Sequence, residues 1–162
     1  MKIRIEQKEL KSLLEKALPQ IAKKTKVTAL ECVLLESKND ILSASATDLE
    51  SYLTVATDKY DNVEDGKLLI HKDDIKLISK LSGELEISTI SEREAIVKTN
   101  KKSISIRLYD IEGYPVFPQI DNSKPLFTIQ ENQFTVAINK LINFVSDNEN
   151  NKTMQCYNIN MQ

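Results

Sequence analysis

The order of apolar periodicities along the first 108 residues narrows the possible folds more than any other feature of this sequence. Ile3 and Ile5 alternate with polar neighbours over residues 2–7, the period-2 pattern of a half-buried strand. Leu10, Leu13, Leu14, Ala17, Leu18 and Ile21 then fall on one stripe at helical spacing, so an amphipathic helix follows with its apolar face on a flat partner. Pro19 lacks a backbone donor and tightens the last turn. Strands are expected over 28–36, 41–46 and 51–58, separated by polar turns at 37–40 and 47–50, and an acidic loop at 61–65 closes on Gly66.

The same order then recurs. A strand is expected at 67–70, and Asp73 is placed to cap a short helix carrying Ile75, Ile78 and Leu81. Ser82-Gly83 closes that helix, and strands follow at 85–90, 95–98 and 103–108. Two βαβββ units each leave one apolar sheet face and one apolar helix face. They can satisfy each other as a two-layer sandwich of the α+β class. Residues 112–122, with Gly113, Pro115 and Pro118, read as an irregular linker.

A longer repeat overlies this one. Shifting the sequence by 124 places Ile3 and Ile5 on Phe127 and Ile129. The helix stripe falls on Phe134, Ala137, Ile138, Leu141, Ile142 and Val145, and Leu30, Cys32, Val33 and Leu35 fall on Met154, Cys156, Tyr157 and Ile159. Register held over such a span points to duplication. The expected organisation is a complete domain at 1–120, a linker at 121–124, and an incomplete βαβ start of a second copy at 125–162. On this reading the chain is truncated, since it holds one complete repeat and only the first third of another.

Composition removes several functional classes. With 41% hydrophobic and 28% charged residues the 162-residue chain can bury a core, and its net charge of −2 excludes a uniformly basic nucleic-acid binder. Three glycines leave no phosphate-cradling loop. No apolar run approaches the roughly 20 residues that cross a bilayer, and the amino terminus lacks a signal-peptide pattern, so a cytoplasmic protein is expected. Cys32 and Cys156 lie too far apart for a clustered metal site and read as buried structural thiols. No metal or other cofactor is expected. His71, the sole histidine, reads as a turn residue. Asp48 and Glu50 fit a polar turn better than a catalytic carboxylate pair. A small hydrolase using His71 and Asp73 is a minor reading, because nothing supplies a nucleophile–base pair or an oxyanion device. The chain is therefore read as non-enzymatic.

The near-neutral charge conceals a segregation. Residues 8–26 hold six lysines (8, 11, 16, 23, 24 and 26) against Glu9 and Glu15, and Lys72, Lys76 and Lys80 form a stripe on the second helix. Residues 36–65 hold eight acids against Lys38 and Lys59. Lysine is also the ordinary residue of a solvated helix face. If the asymmetry is functional, one side attracts a polyanion through point charges that cannot read bases.

Three stretches carry a resemblance. Thr28-Ala29-Leu30-Glu31-Cys32-Val33-Leu34-Leu35-Glu36, Ala46-Thr47-Asp48-Leu49-Glu50 and Tyr114-Pro115-Val116-Phe117-Pro118 occur in this order. They resemble the post-helix strand, the T-D-L-E turn and the linker of the first domain of bacterial DNA polymerase III beta subunits, the sliding clamps. The resemblance implies the DNA clamp fold. It also implies a non-enzymatic, sequence-independent processivity factor of DNA replication, in which two subunits of three domains each close a ring around duplex DNA. Helices line the hole and the ring tethers the polymerase. Implied partners are duplex DNA, bound weakly, and, for the full-length family member, the replicative polymerase and clamp loader; the implied location is the nucleoid-associated cytoplasm.

By the same resemblance Lys24 faces DNA, with Lys23 and Lys26 beside it, and Lys152 matches a basic residue of the family's post-helix loop in the second domain. The start of the second helix is usually basic in the family. Asp73 and Asp74 stand there in this chain, leaving Lys72 and Lys76 as substitutes. Lys101, Ser103 and Ile106 match the edge strand of the family's subunit interface. The pocket for polymerase and clamp-loader peptides lies between domains two and three, so it is not expected here, and the chain alone is not expected to close a ring. The alternative reading is a short interaction module whose edge strand around residues 101–108 caps a full-length clamp and blocks ring closure.

Overall fold

The computed structural model describes residues 1–118, 128–146 and 152–158. The chain divides into two compact units, Met1–Pro118 and Gln119–Gln162.

In the first unit the expected order is present with one addition. It runs β1 (Lys2–Glu6), α1 (Gln7–Ala17), β2 (Cys32–Lys38), β3 (Ile41–Thr47), β4 (Tyr52–Thr57), β5 (Asp61–Glu64), β6 (Gly66–His71), α2 (Lys72–Ile78), β7 (Glu84–Ser91), β8 (Glu94–Lys98) and β9 (Ser103–Arg107). Two antiparallel sheets form, in the orders β5-β1-β7-β8-β9 and β4-β3-β2-β6. The repeats are therefore interlocked. The first strand of each pairs with the last three of the other, β1 on β7 with Ile3 opposite Ile87, and β6 on β2 with Val33 opposite Ile70. Side-chain alternation in both sheets and the stripes of both helices converge on one core. Ile3, Ile5, Ile87, Val97 and Ile106 of one sheet meet Val33, Leu35, Leu42, Leu68 and Ile70 of the other, with Leu10, Leu13, Leu14 and Ala17 of α1 and Ile75 and Ile78 of α2.

Three local expectations are corrected. Residues 28–31 are a 3₁₀ turn and not the start of a strand. The Cys32 thiol donates to the Thr28 carbonyl at 3.3 Å, and pairing begins at Cys32. The acidic stretch expected as a loop is strand β5, laid along the edge of β1 with Ile3 opposite Asn62 and Arg4 opposite Asp61. Its sequence does not alternate. The partners that hold it are the edge of β1 and the Ser37 hydroxyl, which donates to Asn62 at 3.0 Å. Finally, α2 is capped by His71 and not by Asp73, because the strand runs straight into the helix. The His71 Nδ1 accepts the Asp73 backbone N–H at 3.3 Å.

Pro19 does lie in a tightened turn, the 3₁₀ segment Leu18–Gln20. Beyond β9 the chain crosses to the second sheet. Tyr109 N–H donates to Leu69 at 3.1 Å, and buried Tyr114 donates its hydroxyl to the Ser45 carbonyl at 3.1 Å. Phe117 packs edge-on against Tyr52 with centroids 5.0 Å apart. The expected linker is thus attached to the first unit as far as Pro118. Its residues 119–122 lie outside the described residues.

In the second unit, α3 (Glu131–Leu141) is followed by 3₁₀ turns at Ile142–Phe144 and Lys152–Gln155. Each of these spans is the image, 124 residues on, of α1, of Leu18–Gln20 and of Thr28–Glu31. The offset read from apolar residues thus also relates backbone conformations. The strands expected on either side of α3 are not found among the described residues. Residues 125–127 and 159–160 lie outside them, residues 128–130 form no strand, and Met154 and Gln155 belong to the turn. The stripes differ in burial: Leu10 is fully buried, whereas its counterpart Phe134 is 40% exposed.

Leu14 sits at the centre of the shared core with no exposed surface. Leu14→Ala is expected to destabilise the protein by about 3 kcal/mol through lost burial and the cavity left behind. Urea unfolding should show a lower midpoint at unchanged slope.

Candidate nucleic-acid interface

The candidate surface begins where α1 ends. Ala22 and Leu30 are buried and joined by a hydrogen bond from Ala22 N–H to the Leu30 carbonyl at 2.9 Å, pinning both ends of the loop. The Thr25 hydroxyl accepts the Val27 N–H at 3.0 Å. With the ends of the loop fixed inward, Lys23, Lys24 and Lys26 are exposed. None of them takes part in an ion pair among the described residues, so three positive charges stand uncompensated on one short loop. Along α1, Lys8, Lys11, Ser12, Glu15 and Lys16 line the exposed face, where Lys11 pairs with Glu15 at 3.6 Å.

The second helix differs. Lys72 bonds to Glu31, which also approaches His71 Nε2 at 3.7 Å, and Lys76 bonds to Asp73 at 2.9 Å. The Lys72 ammonium holds the Glu31 carboxyl below the usual carboxylate range, and Lys76 does the same for Asp73. In turn, Glu31 pushes the Lys72 ammonium up. Partial burial pushes Asp74 up. The charges of Lys72 and Lys76 are therefore balanced within the fold. Lys80, beyond the end of the helix, is exposed and joins no ion pair among the described residues.

Of the residues matched to a subunit edge, Lys101 and Ser103 are exposed, and β9 is an outer strand of its sheet. Ile106 is corrected. It is 1% exposed and belongs to the core, because strand alternation turns Ile104 and Ile106 inward and Ser103, Ser105 and Arg107 outward. Acidic β5 forms the opposite edge of the same sheet, so the sheet's two borders carry opposite charge. Lys152 opens the 3₁₀ turn of the second unit, at the place corresponding to Thr28.

His71, Asp48 and Cys32, also singled out in the sequence, are held in the local structure of the fold. His71 caps α2, and its ring lies 5.8 Å from that of Tyr109, which carries the Arg107 guanidinium 5.4 Å above it. The Asp48 carboxylate accepts N–H bonds from Glu50 at 3.1 Å and Ser51 at 2.9 Å, which holds it below its usual range. These bonds, with the Thr47 hydroxyl accepting Leu49 N–H at 2.9 Å, support Leu49 at φ +76°. Cys32 is buried as expected, and desolvation pushes its thiol up to about 12. Cys156, expected to be buried, is exposed. Among the described residues no cluster of His, Cys, Asp and Glu could hold a metal ion, and no helix is long and apolar enough to cross a membrane.

Two antiparallel sheets exchanging their first strands around two short helices constitute a DNA clamp domain. Residues 1–118 match the family model for the DNA polymerase III beta subunit, N-terminal domain, and the chain belongs to that family. Solved structures agree on the fold. The Caulobacter crescentus beta sliding clamp is 20% identical over 92% of this chain and 40% of its own, with a TM-score of 0.80. The Helicobacter pylori beta clamp bound to a DNA ligase peptide is 24% identical over 75% of this chain and 34% of its own, with a TM-score of 0.67. For the Thermotoga maritima beta subunit the identity is 20%, over 74% of this chain and 33% of its own, at a TM-score of 0.67. The chain thus spans between a third and two-fifths of the length of these clamps. No curated protein matches it.

Two measurements follow from the site. In the folded protein a thiol-reactive chromophore should titrate one cysteine, Cys156, rapidly, with Cys32 reacting only after denaturation. The depressed carboxyls of Glu31, Asp48, Asp73 and Glu86 contribute stability that is complete above their unfolded values and lost as pH falls through the lower folded ones. Asp74, raised, works in the opposite sense but is a single group. Thermal melts should therefore show Tm falling between about pH 5 and pH 3, and Lys72→Met, which frees Glu31, should lose less over that interval.

Proposed function

We propose that this chain supplies the first domain, and the opening helix of a second, to a replication sliding clamp that encircles duplex DNA and tethers the replicative polymerase. Its action is non-enzymatic and indifferent to sequence. The observation that carries the reading is the exposed, uncompensated loop of Lys23, Lys24 and Lys26 after α1, in a domain of this family. A clamp needs only such weak point contacts to phosphate, because ring topology and not affinity retains it on DNA. The repetition of α1 and its flanking turns 124 residues on supports the assignment of residues 125–162 to a second domain, with Lys152 as its counterpart contact. Strand β9 supports a subunit contact, since an edge strand offers unpaired backbone groups, Ser103 is exposed on it and Lys101 is exposed in the turn before it. The polymerase and the clamp loader are the proposed partners of the assembled ring, and the nucleoid-associated cytoplasm its location. The ligase peptide bound by the Helicobacter pylori clamp is an instance of peptide capture in the fold.

Fluorescence anisotropy with a labelled duplex at low salt should give a dissociation constant at or above about 10⁻⁶–10⁻⁴ M. Lys24→Glu should weaken it. Lys23→Glu/Lys24→Glu/Lys26→Glu should also flatten the plot of log affinity against log salt, by about one unit for each phosphate no longer neutralised. A triple variant with unchanged affinity and slope would rule the loop out as the DNA surface.

A further inference from the structure

We infer that His71 is a proton-operated cap, which holds the start of α2 while its ring is neutral and releases it when the ring is protonated. The surroundings ask two things of this ring that exclude each other. Nδ1 accepts the Asp73 N–H at 3.3 Å, and a ring nitrogen accepts only while it carries no proton. Yet carboxylates stand at both nitrogens, Asp73 Oδ2 at 3.5 Å from Nδ1 and Glu31 Oε2 at 3.7 Å from Nε2, and these favour the imidazolium. The neutral ring meets the first demand, with its proton on Nε2 on the side of Glu31. The imidazolium meets the second. Both its nitrogens are donors, so Nδ1 then bonds the Asp73 carboxylate and no longer the Asp73 backbone.

The charged and titratable groups around the ring come from four elements. Glu31 belongs to the 3₁₀ turn before β2, and Lys72, Asp73 and Asp74 belong to α2. Cys32 lies opposite His71 in the pairing of β2 with β6, and burial pushes its thiol up to about 12, so it stays neutral. The Tyr109 ring lies 5.8 Å away and carries the Arg107 guanidinium at 5.4 Å. Lys72 holds the Glu31 carboxyl, and Lys76 the Asp73 carboxyl, below the usual carboxylate range. Both are therefore charged wherever a histidine titrates. Burial pushes the Asp74 carboxyl up.

The helix has seven residues, so its first turn is a large part of it. A side-chain acceptor at the cap satisfies one of the backbone donors that the helix itself leaves open. Protonation removes that acceptor. It also sets a further cation against Glu31 and Asp73, which Lys72 and Lys76 must then share with it. On the other side it brings a positive charge to a tyrosine ring that already carries Arg107, the last residue of β9. One proton is thus felt at the start of α2 and at the end of an outer strand.

His71 is the only histidine, so its ring resonances are identified without assignment. The test titrates the full chain by NMR over about pH 5 to 8, where histidine changes charge. At the upper end the ring should be the Nε2–H tautomer. Exchange of the Asp73 amide with water, corrected for its intrinsic pH dependence, should quicken about fivefold as the ring protonates, the size of a lost cap. His71→Asn keeps a side-chain acceptor and cannot titrate, so its Asp73 amide should exchange slowly across the whole interval. An Nδ1–H tautomer at high pH would overturn the proposal without any variant. An Asp73 amide indifferent to ring protonation would do so too. Equal quickening in His71→Asn would place the response in the carboxylates, and that also overturns it.

Discussion

The fold depends on an exchange. Neither βαβββ repeat keeps its own first strand: β1 completes the sheet of β7, β8 and β9, and β6 completes the sheet of β2, β3 and β4. The two helices follow these exchanged strands directly, so α1 and α2 pack on one core to which both halves of the sequence contribute. A single repeat would lack both a strand for its sheet and the opposing layer for its helix. This explains why one contiguous core includes both stripes, and why truncating the Leu14 side chain is felt by both sheets.

Much of this architecture is legible in the sequence because burial on one face imposes a period, and the periods of 2 and 3.6 survive in Ile3–Ile5 and in the Leu10–Leu14 stripe. The exchange itself is not legible, since alternation states which face is buried and says nothing about which strand lies alongside. Strand β5 is hidden for a related reason: it is exposed, short and acidic, and its pairing is supplied by the edge of β1. Thr28–Glu31 runs directly into the apolar sequence of β2, but a thiol-to-carbonyl bond from Cys32 and a local turn set it apart from the strand. The identical misreading at Met154–Gln155 arises from the same local geometry, 124 residues on.

The candidate surface is legible in part. The density of lysines identifies the loop after α1, and there the structure leaves the charges free. The same density on α2 suggests three equivalent lysines. Only the folded chain reveals that Glu31, from a 3₁₀ turn 41 residues away in sequence, balances Lys72, and that Asp73 holds Lys76. Ile106 fails for the opposite reason, as a position matched by resemblance to an edge strand but turned inward by alternation. Charge becomes a binding surface only after internal pairing is subtracted, and that subtraction is long-range information.

The path of the chain after β9 has a mechanical consequence. Leu108 bridges to Ile70, Tyr109 bonds to Leu69, and Tyr114 reaches Ser45 on the central strand β3. A pull applied beyond Pro118 is therefore received first by the Phe117 ring against Tyr52 and then by Tyr114 and its hydroxyl, seated on the second sheet. Strand β9 is shielded from being peeled off β8 one hydrogen bond at a time until that anchor yields. The exposed edge formed by β9 is thus isolated from tension arriving along its own chain.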